Sequence, residues 1–355
     1  MKVIKKILKV LLVIVIVLLV LVGGLLGWLT AVEYKPADTE QVTLKTLRGQ
    51  AKQLKTGDSI SLVAWNLGYA ALGNNADFFM DGGKMVYSAD EARVRENLNA
   101  IITEVKADDP DILLCQEIDL NSDRSYHINE TFFFETMDFN NGAFANNFKD
   151  VYAPFPIPPM GKIDSGIATY SKYASTSATR VQLPCPFAWP VRTFNLKRCL
   201  LITRIPVEGG KELVIVNLHL EAYDDGEGKA AQAKMLMDVF SEETAKGNYV
   251  IAGGDFNQSF SNVKNNFPVY PEQWQPSFMD VSAYENDCQF LMDSDVASCR
   301  SLYKPLTGNE GSLQYYMIDG FIVSKNIRVD SYEVKDLGFV NSDHNPQLLK
   351  VTLIK

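Results

Sequence analysis

Apolar residues along this chain fall into three patterns. The first is a run from Val10 to Thr30 without a single charge, preceded by Lys2, Lys5, Lys6 and Lys9. As a helix rising 1.5 Å per residue it reaches roughly 30 Å, the thickness of a bilayer's hydrocarbon. The second pattern has helical period. Glu91–Lys106 aligns Val94, Leu98, Ile101, Ile102 and Val105 on one face, and Gly228–Lys246 aligns Ala231, Met235, Leu236 and Val239 before stopping at Gly247. The third is a series of short β-rich runs: Ile60–Trp65, Asp111–Glu117, Phe148–Ala153, Gly166–Ser171, Thr176–Gln182, Arg198–Ile205, Leu213–Leu220, Tyr249–Gly253, Gln314–Val323, Ile327–Leu337 and Gln347–Leu353. So many strands with so few helices predict a four-layered α/β sandwich: two packed, mostly antiparallel β-sheets with outer helices, preceded by one N-terminal transmembrane helix.

Several of these runs close on a polar group where the apolar pattern ends. SLVAW leads into Asn66, DILLCQ into Glu117, LVIVNL into His219, YVIAGG into Asp255 with Asn257 two further on, and YYMI into Asp319. A protein that needed only a core would not put such groups at the mouths of buried strands. Asp255 and Asn257, two apart, are expected to point the same way along an extended segment.

The domain reading is a basic tip at 1–9, a transmembrane signal-anchor at 10–30, a stalk at 31–57 and one folded domain at 58–355. A cleaved signal peptide competes with the anchor, but its apolar core is about 7–15 residues and ends at an Ala-x-Ala-like site, neither of which fits here. Lysines before the span and mixed charges after it (Glu33, Lys35, Asp38, Glu40) predict a single-pass membrane protein with a cytoplasmic N-terminus and the domain outside. The tip holds four of the 34 basic residues and none of the 43 acids, so the rest carries a net charge of −13. That argues against a generic polyanion binder, although a bound divalent metal would reverse the local field. Of five cysteines, Cys115 reads as a buried small hydrophobe; Cys288 with Cys299, and Cys185 with Cys199, are candidate bridges in an oxidising compartment. The proline- and aromatic-rich segments Val151–Pro159 and Leu183–Val191 cannot continue a ladder and are expected to project from an edge, with Phe187 and Trp189 exposed.

In order, Asn66, Gln116–Glu117, Asn217–Leu218–His219, Gly254–Asp255–Phe256–Asn257, Asp319 and Ser342–Asp343–His344 resemble the endonuclease/exonuclease/phosphatase superfamily over residues 58–355. The resemblance implies a Mg²⁺-dependent phosphoesterase, with Mn²⁺ as a substitute. Glu117 would be the principal metal ligand, with Asn66 and Asp343 beside the metal. His344, oriented by Asp319, would take a proton from water. Asp255 would position that water, while Asn66, His219 and Asn257 hold phosphoryl oxygens. Arg124 matches a basic position in some bacterial members and would touch substrate phosphate. His127 reads as a loop histidine, Tyr170 as core, and the sequon at Asn257 as accidental.

The substrate stays open between a nucleic acid and a phospholipid or phosphorylated metabolite. The apolar loops and the anchor lean toward a membrane surface, and no protein partner is implied. A catalytically inactive binding module is the reading from another class, which the complete set of acids and histidines disfavours.

Overall fold

The computed structural model describes residues 2–224 and 226–354. Its helices are α1 (Lys2–Val32), α2 (Glu91–Asp108), α3 (Thr131–Glu135) and α4 (Glu227–Ala245). Its strands are β1 (Thr39–Val42), β2 (Lys45–Thr46), β3 (Ser59–Asn66), β4 (Ile112–Asp119), β5 (Asn141–Ala153), β6 (Gly161–Ser171), β7 (Ser177–Gln182), β8 (Cys199–Val207), β9 (Lys211–His219), β10 (Tyr249–Asp255), β11 (Gln258–Phe260), β12 (Ser277–Met279), β13 (Cys288–Leu291), β14 (Cys299–Arg300), β15 (Tyr315–Tyr316), β16 (Asp319–Ser324), β17 (Ile327–Val334) and β18 (Gln347–Leu353).

Two seven-stranded sheets carry the fold, in the orders β1-β7-β8-β9-β10-β16-β13 and β17-β18-β3-β4-β6-β5-β2. Each is antiparallel except for one central pair, β9 with β10 and β3 with β4. A parallel pair needs a crossover, and α4 and α2 supply them. The layers follow from strand alternation. Leu62, Ala64, Ile112 and Leu114 meet Leu213, Ile215, Ile251 and Phe321 between the sheets. Val63, Trp65, Leu113 and Cys115 face away, against Val94, Leu98 and Ile101 of α2. Val214, Val216, Val250 and Ala252 lie under Leu236 and Phe240 of α4. The result is the expected four-layered sandwich.

The differences from expectation are local. The segment expected as a stalk is woven into the domain: β1 extends one sheet beside β7, and β2 extends the other beside β5. α4 buries Ala233, Leu236, Met237 and Phe240, a face rotated from the expected one, so Ala231 is exposed. Phe240, the largest apolar side chain on the helix, sets the rotation because its burial removes the most area from water. β5 begins at Asn141, seven residues earlier than the sequence indicated, and the expected strand Gln314–Val323 is split into β15 and β16. None of the five cysteines is bridged: Cys185 is exposed in a loop, Cys199 and Cys288 begin strands of the β9 sheet, and Cys299 pairs by backbone with His344. Tyr170 is core, stacked between Phe134 and Phe139.

Helix α1 is long and apolar enough to cross a membrane, a property that signal sequences share. Its last turns rest on the domain. Leu29 is buried, the Trp28 and Tyr152 rings sit 6.3 Å apart, and Trp189 Nε1 donates to Thr30 Oγ1 at 3.0 Å.

Candidate active site

The carboxyl ends of both parallel pairs reach the same edge of the sandwich, and strand phase determines what they present there. Asn66 keeps step with Leu62 and Ala64, His219 with Leu213 and Ile215, and Asp255 with Ile251, so all three point between the sheets. In the ladder His219 is the partner of Asp255, and Asp255 of Asp319. A Cβ on Gly253 would lie 2.4 Å from the Phe321 ring, and one on Gly254 2.2 Å from Leu218 O. The two glycines therefore let the strand pass close enough to deliver Asp255. Gln116 Nε2 donates to Asn217 Oδ1 at 2.7 Å and ties the two sheets together just beneath.

Two residues reach the site by other means. By phase, Glu117 belongs with Leu113 and Cys115 against α2. A register shift between Cys115 and Ile118 and a φ of 48° at Glu117 turn it to the site instead, as bulges beside functional sites do. Asn257 is not in an extended segment: β10 ends at Asp255 and Asn257 has a φ of 51°. It still reaches the same cavity because its backbone N–H donates to Asp255 Oδ1 at 2.8 Å, an Asx turn. Its Nδ2 donates to Leu220 O, so this buried amide is unsuited to glycosylation.

A cavity of about 560 Å³ is lined by Glu117, Arg124, His219, Asp255, Asn257, Asp343 and His344. Asn66 lies under its floor, fully buried. Its Nδ2 donates to Asp255 Oδ2 at 3.0 Å and Glu117 Oε1 at 3.2 Å, and its Oδ1 accepts from Gly68 N at 3.0 Å. Both amide hydrogens are thus committed to carboxylates, which makes Asn66 a holder of the two acids rather than a group reaching into the cavity. Asp319 is also beneath the floor, its Oδ2 2.8 Å from His344 Nδ1. Ser298, which the sequence did not single out, accepts from the backbone of Asp319. His344 is framed on its other side by Ser342, whose Oγ accepts from His344 N and donates to Asn66 O.

His344 Nε2 stands 3.9 Å from both Asp255 Oδ2 and Asp343 Oδ2. Burial opposes its charge, yet the Asp319 and Asp343 carboxylates hold its pKa well above the ordinary histidine value. His219 behaves oppositely. Burial, reinforced by Arg198 and His344, holds it well below that value, so its imidazole is neutral. Its Nε2 lies 3.4 Å from Asp255 Oδ2 and its buried Nδ1 has no partner. Burial raises Asp255 to about 7, with Asp319 adding to the shift, and raises Asp343 to about 7, with Glu117 adding.

Arg198 and Tyr69 line the cavity without any sequence signal. The Arg198 guanidinium bonds Glu221 and the carbonyl of His219. Tyr69 has a φ of 40°, a buried hydroxyl with no partner, and the Arg124 guanidinium 3.6 Å from its ring centroid. Arg124 itself makes a two-pronged bond to Asp119 and is largely buried. His127 is a loop residue bonded to Asn121. Phe187 is half-buried and lines the cavity, whereas Trp189 is exposed as expected.

The family implied by these motifs works with a divalent cation, and the residues fit one. Ligand atoms of Asp255, Asp319 and His344 lie within 4.8 Å of one another, as do those of Cys299, Asp343 and His344. Asp343 Oδ1 is buried without a hydrogen-bond partner. The carboxylates among these residues, and Glu117 at the same cavity, offer the hard oxygen donors that a divalent cation takes.

The profile of the Endonuclease/Exonuclease/phosphatase family matches residues 63–344, and the chain belongs to that family. Its members are hydrolases of phosphate esters. Among solved structures, the fold is shared with an endonuclease/exonuclease/phosphatase from Beutenbergia cavernae DSM 12333 (TM-score 0.57, 16% identity, covering 83% of this chain and 72% of that one). It is shared also with the human Nocturnin catalytic domain (0.51, 17%, 88% and 97%) and an endonuclease/exonuclease/phosphatase from Bacteroides vulgatus (0.51, 14%, 83% and 99%). No curated protein sequence matches the chain.

Proposed function

We propose that the protein is a Mg²⁺-dependent phosphodiesterase, anchored by residues 10–30 with residues 58–355 outside the cytoplasm. The observation that carries the reading is the convergence of His219, Asp255 and the Asp319–His344 pair on one cavity floor. Asp319 accepts from His344 Nδ1 and thereby leaves Nε2 to face the cavity, where the deprotonated imidazole, the less populated form under a pKa that Asp319 raises, takes the proton of a water attacking phosphorus in line. Asp255, fixed by Asn66 and by the Asn257 N–H, orients that water. The neutral His219 and the second Nδ2 hydrogen of Asn257 donate to non-bridging phosphoryl oxygens, a preorganised arrangement that strengthens as charge builds on them. Glu117 and Asp343 would hold the cation, which when bound supplies charge neutralisation for the phosphoryl and leaving oxygens. Arg124, pinned to Asp119, contributes positive potential at the cavity wall. The four lysines before the span support the assigned orientation.

The test is turnover of bis(p-nitrophenyl) phosphate. His344→Ala is expected to lower kcat by about 10³-fold, within the range for loss of a general base, with the fold retained by circular dichroism. Near-normal turnover in that variant refutes the assignment.

A further inference from the structure

The cavity is far larger and greasier than a scissile phosphate requires. Above the polar floor its walls come from three segments: Phe78–Met80, Phe155–Met160 and Phe187–Leu196. Their lining side chains are apolar except for Asn195, and two of the segments are packed together, with the Phe79 and Phe155 rings edge-on at 5.8 Å. The outer surface of the same segments is apolar too. Ile157 is 94% exposed, Phe155 58%, Trp189 53% and Met80 44%. An exposed aliphatic and aromatic rim around an apolar shaft is not what a soluble, hydrophilic substrate selects.

The third segment also connects the cavity to the apolar helix. Its inner side chains Phe187, Val191 and Phe194 line the shaft, while on its outer side Trp189 bonds Thr30. Just beyond the helix end, the buried Glu33 carboxylate sits 3.3 Å from Lys197 Nζ and 3.6 Å from Arg192 Nε. The end of α1 and one wall of the cavity are therefore fastened to each other. If α1 crosses a bilayer, this clamp holds the cavity mouth at the bilayer surface, with the exposed apolar rim beside it.

The cations do not favour a polynucleotide. Arg124 is committed to Asp119 and Arg198 to Glu221, while Arg300 donates to the carbonyls of Gly73 and Ser301. Among the described residues, all three arginines that line the cavity are thus committed to other partners, and a nucleic acid draws most of its affinity from free Lys and Arg.

We propose that the substrate is an amphiphilic phosphate ester drawn from the membrane that holds α1. Its phosphate would lie on the His219–Asp255–His344 floor and its aliphatic chain along the aromatic shaft. This rests on the phosphoesterase reading above and narrows it to one substrate class.

The test uses the full chain in phosphatidylcholine nanodiscs with Mg²⁺. The probes are p-nitrophenyl phosphodiesters bearing methyl, hexyl or dodecyl groups, and a single-stranded oligonucleotide. The expected result is a kcat/KM that climbs by roughly threefold per methylene until the shaft is filled, with the oligonucleotide hydrolysed more slowly than the dodecyl ester. Phe187→Ala should flatten the climb. Ile157→Asp lies on a side chain too exposed to affect folding. It should lower the ratio of bilayer-embedded to detergent-dispersed dodecyl ester turnover by about tenfold. Dodecyl phosphonate, which has no ester bond to break, should raise the thermal midpoint more than methyl phosphonate does. Hydrolysis of all three esters without a gain in chain length, or faster cleavage of the oligonucleotide, overturns the lipid inference and leaves the phosphoesterase reading standing. Failure to hydrolyse any of them sinks both.

Discussion

The two central βαβ units, β3–α2–β4 and β9–α4–β10, solve the same folding problem and deliver opposite kinds of chemistry. Each lays a parallel pair in the middle of a sheet, covers it with its crossover helix and ends on polar side chains at the same edge. In the second unit those side chains are sealed. His219 and Asp255 are almost wholly buried, and Asp255 is gripped by Asn66 and Asn257. In the first unit Glu117 keeps 25% of its side chain exposed on a bulge, with Asn66 Nδ2 as its hydrogen-bond donor. A carboxylate that the protein leaves unneutralised is suited to receive a cation, whereas a rigid, desolvated pair is suited to hold a reacting water and phosphate in fixed positions. The difference in burial thus maps onto a proposed division of labour between two similar units.

The sharpest way to break that division is to remove the charge from each side in turn. Glu117→Gln is expected to lower kcat on bis(p-nitrophenyl) phosphate by about 10³-fold. Raising Mg²⁺ or Mn²⁺ should recover part of that loss, and thermal stability should hold because only the Asn66 bond is disturbed. His219→Gln should lose about 10²-fold, as removal of one transition-state donor does, with no recovery at any metal concentration. If metal rescues His219→Gln and not Glu117→Gln, the roles of the two units are reversed.

A smaller effect tests how the units are joined. Asn217 lies on β9, yet its Nδ2 donates to Ala168 O of the other sheet while its Oδ1 accepts from Gln116. Asn217→Ala orphans a buried amide and a buried carbonyl, which should cost about 2–4 kcal/mol of stability. The urea midpoint should fall, and kcat should fall with it because the floor loses its brace. A variant with full stability would show that the sheets are held by apolar packing alone.

The legible part of this site is the part governed by strand period. Asn66, His219, Asp255 and Asp319 follow from counting by twos along apolar runs, and the same count places Leu62, Ile215 and Ile251 between the sheets. Glu117 and Asn257 fell to the site by backbone turns with positive φ, and no apolar pattern encodes such a turn at a non-glycine residue. Period two did single out Asn257, but on an extended segment that the structure replaces with a turn, and Glu117 was picked only as the close of an apolar run. The rotated face of α4 was missed because Met235 and Val239 fit one helical stripe beside Leu236 as well as Ala233, Met237 and Phe240 fit the next, and only the sheet beneath decides between them. Edge strands β1 and β2 are too short and polar to carry a signal of their own. The clamp between Glu33 and Lys197 joins residues far apart in sequence, so it was invisible before the fold.

The gentlest test of the comparison lies at the far ends of the units from the site. In the second unit Glu243 of α4 accepts from Arg204, Lys246 and Asn248, and although its partial burial works against ionisation, these bonds hold its carboxyl down at about 2. In the first unit Asp111, at the entry to β4, is lowered against its own burial by Lys52 and Ser61. A carboxyl whose folded pKa lies below its unfolded value near 4.5 stabilises the fold fully above that value. The contribution is then lost as pH falls toward 2. Glu243→Gln should therefore lower the thermal midpoint at pH 6 by about 2–4 °C, the response of a domain this size to roughly 1 kcal/mol. The gap from wild type should narrow steadily below pH 4.5. Asp111→Asn should give a gap of the same sign, reduced further by salt because Lys52 is half exposed. A gap that stays constant from pH 6 to pH 2.5 in Glu243→Gln would show that the side chain acts by packing. The second unit would then owe its rigidity to the apolar layer under Phe240 and not to the ion pairs at its edge.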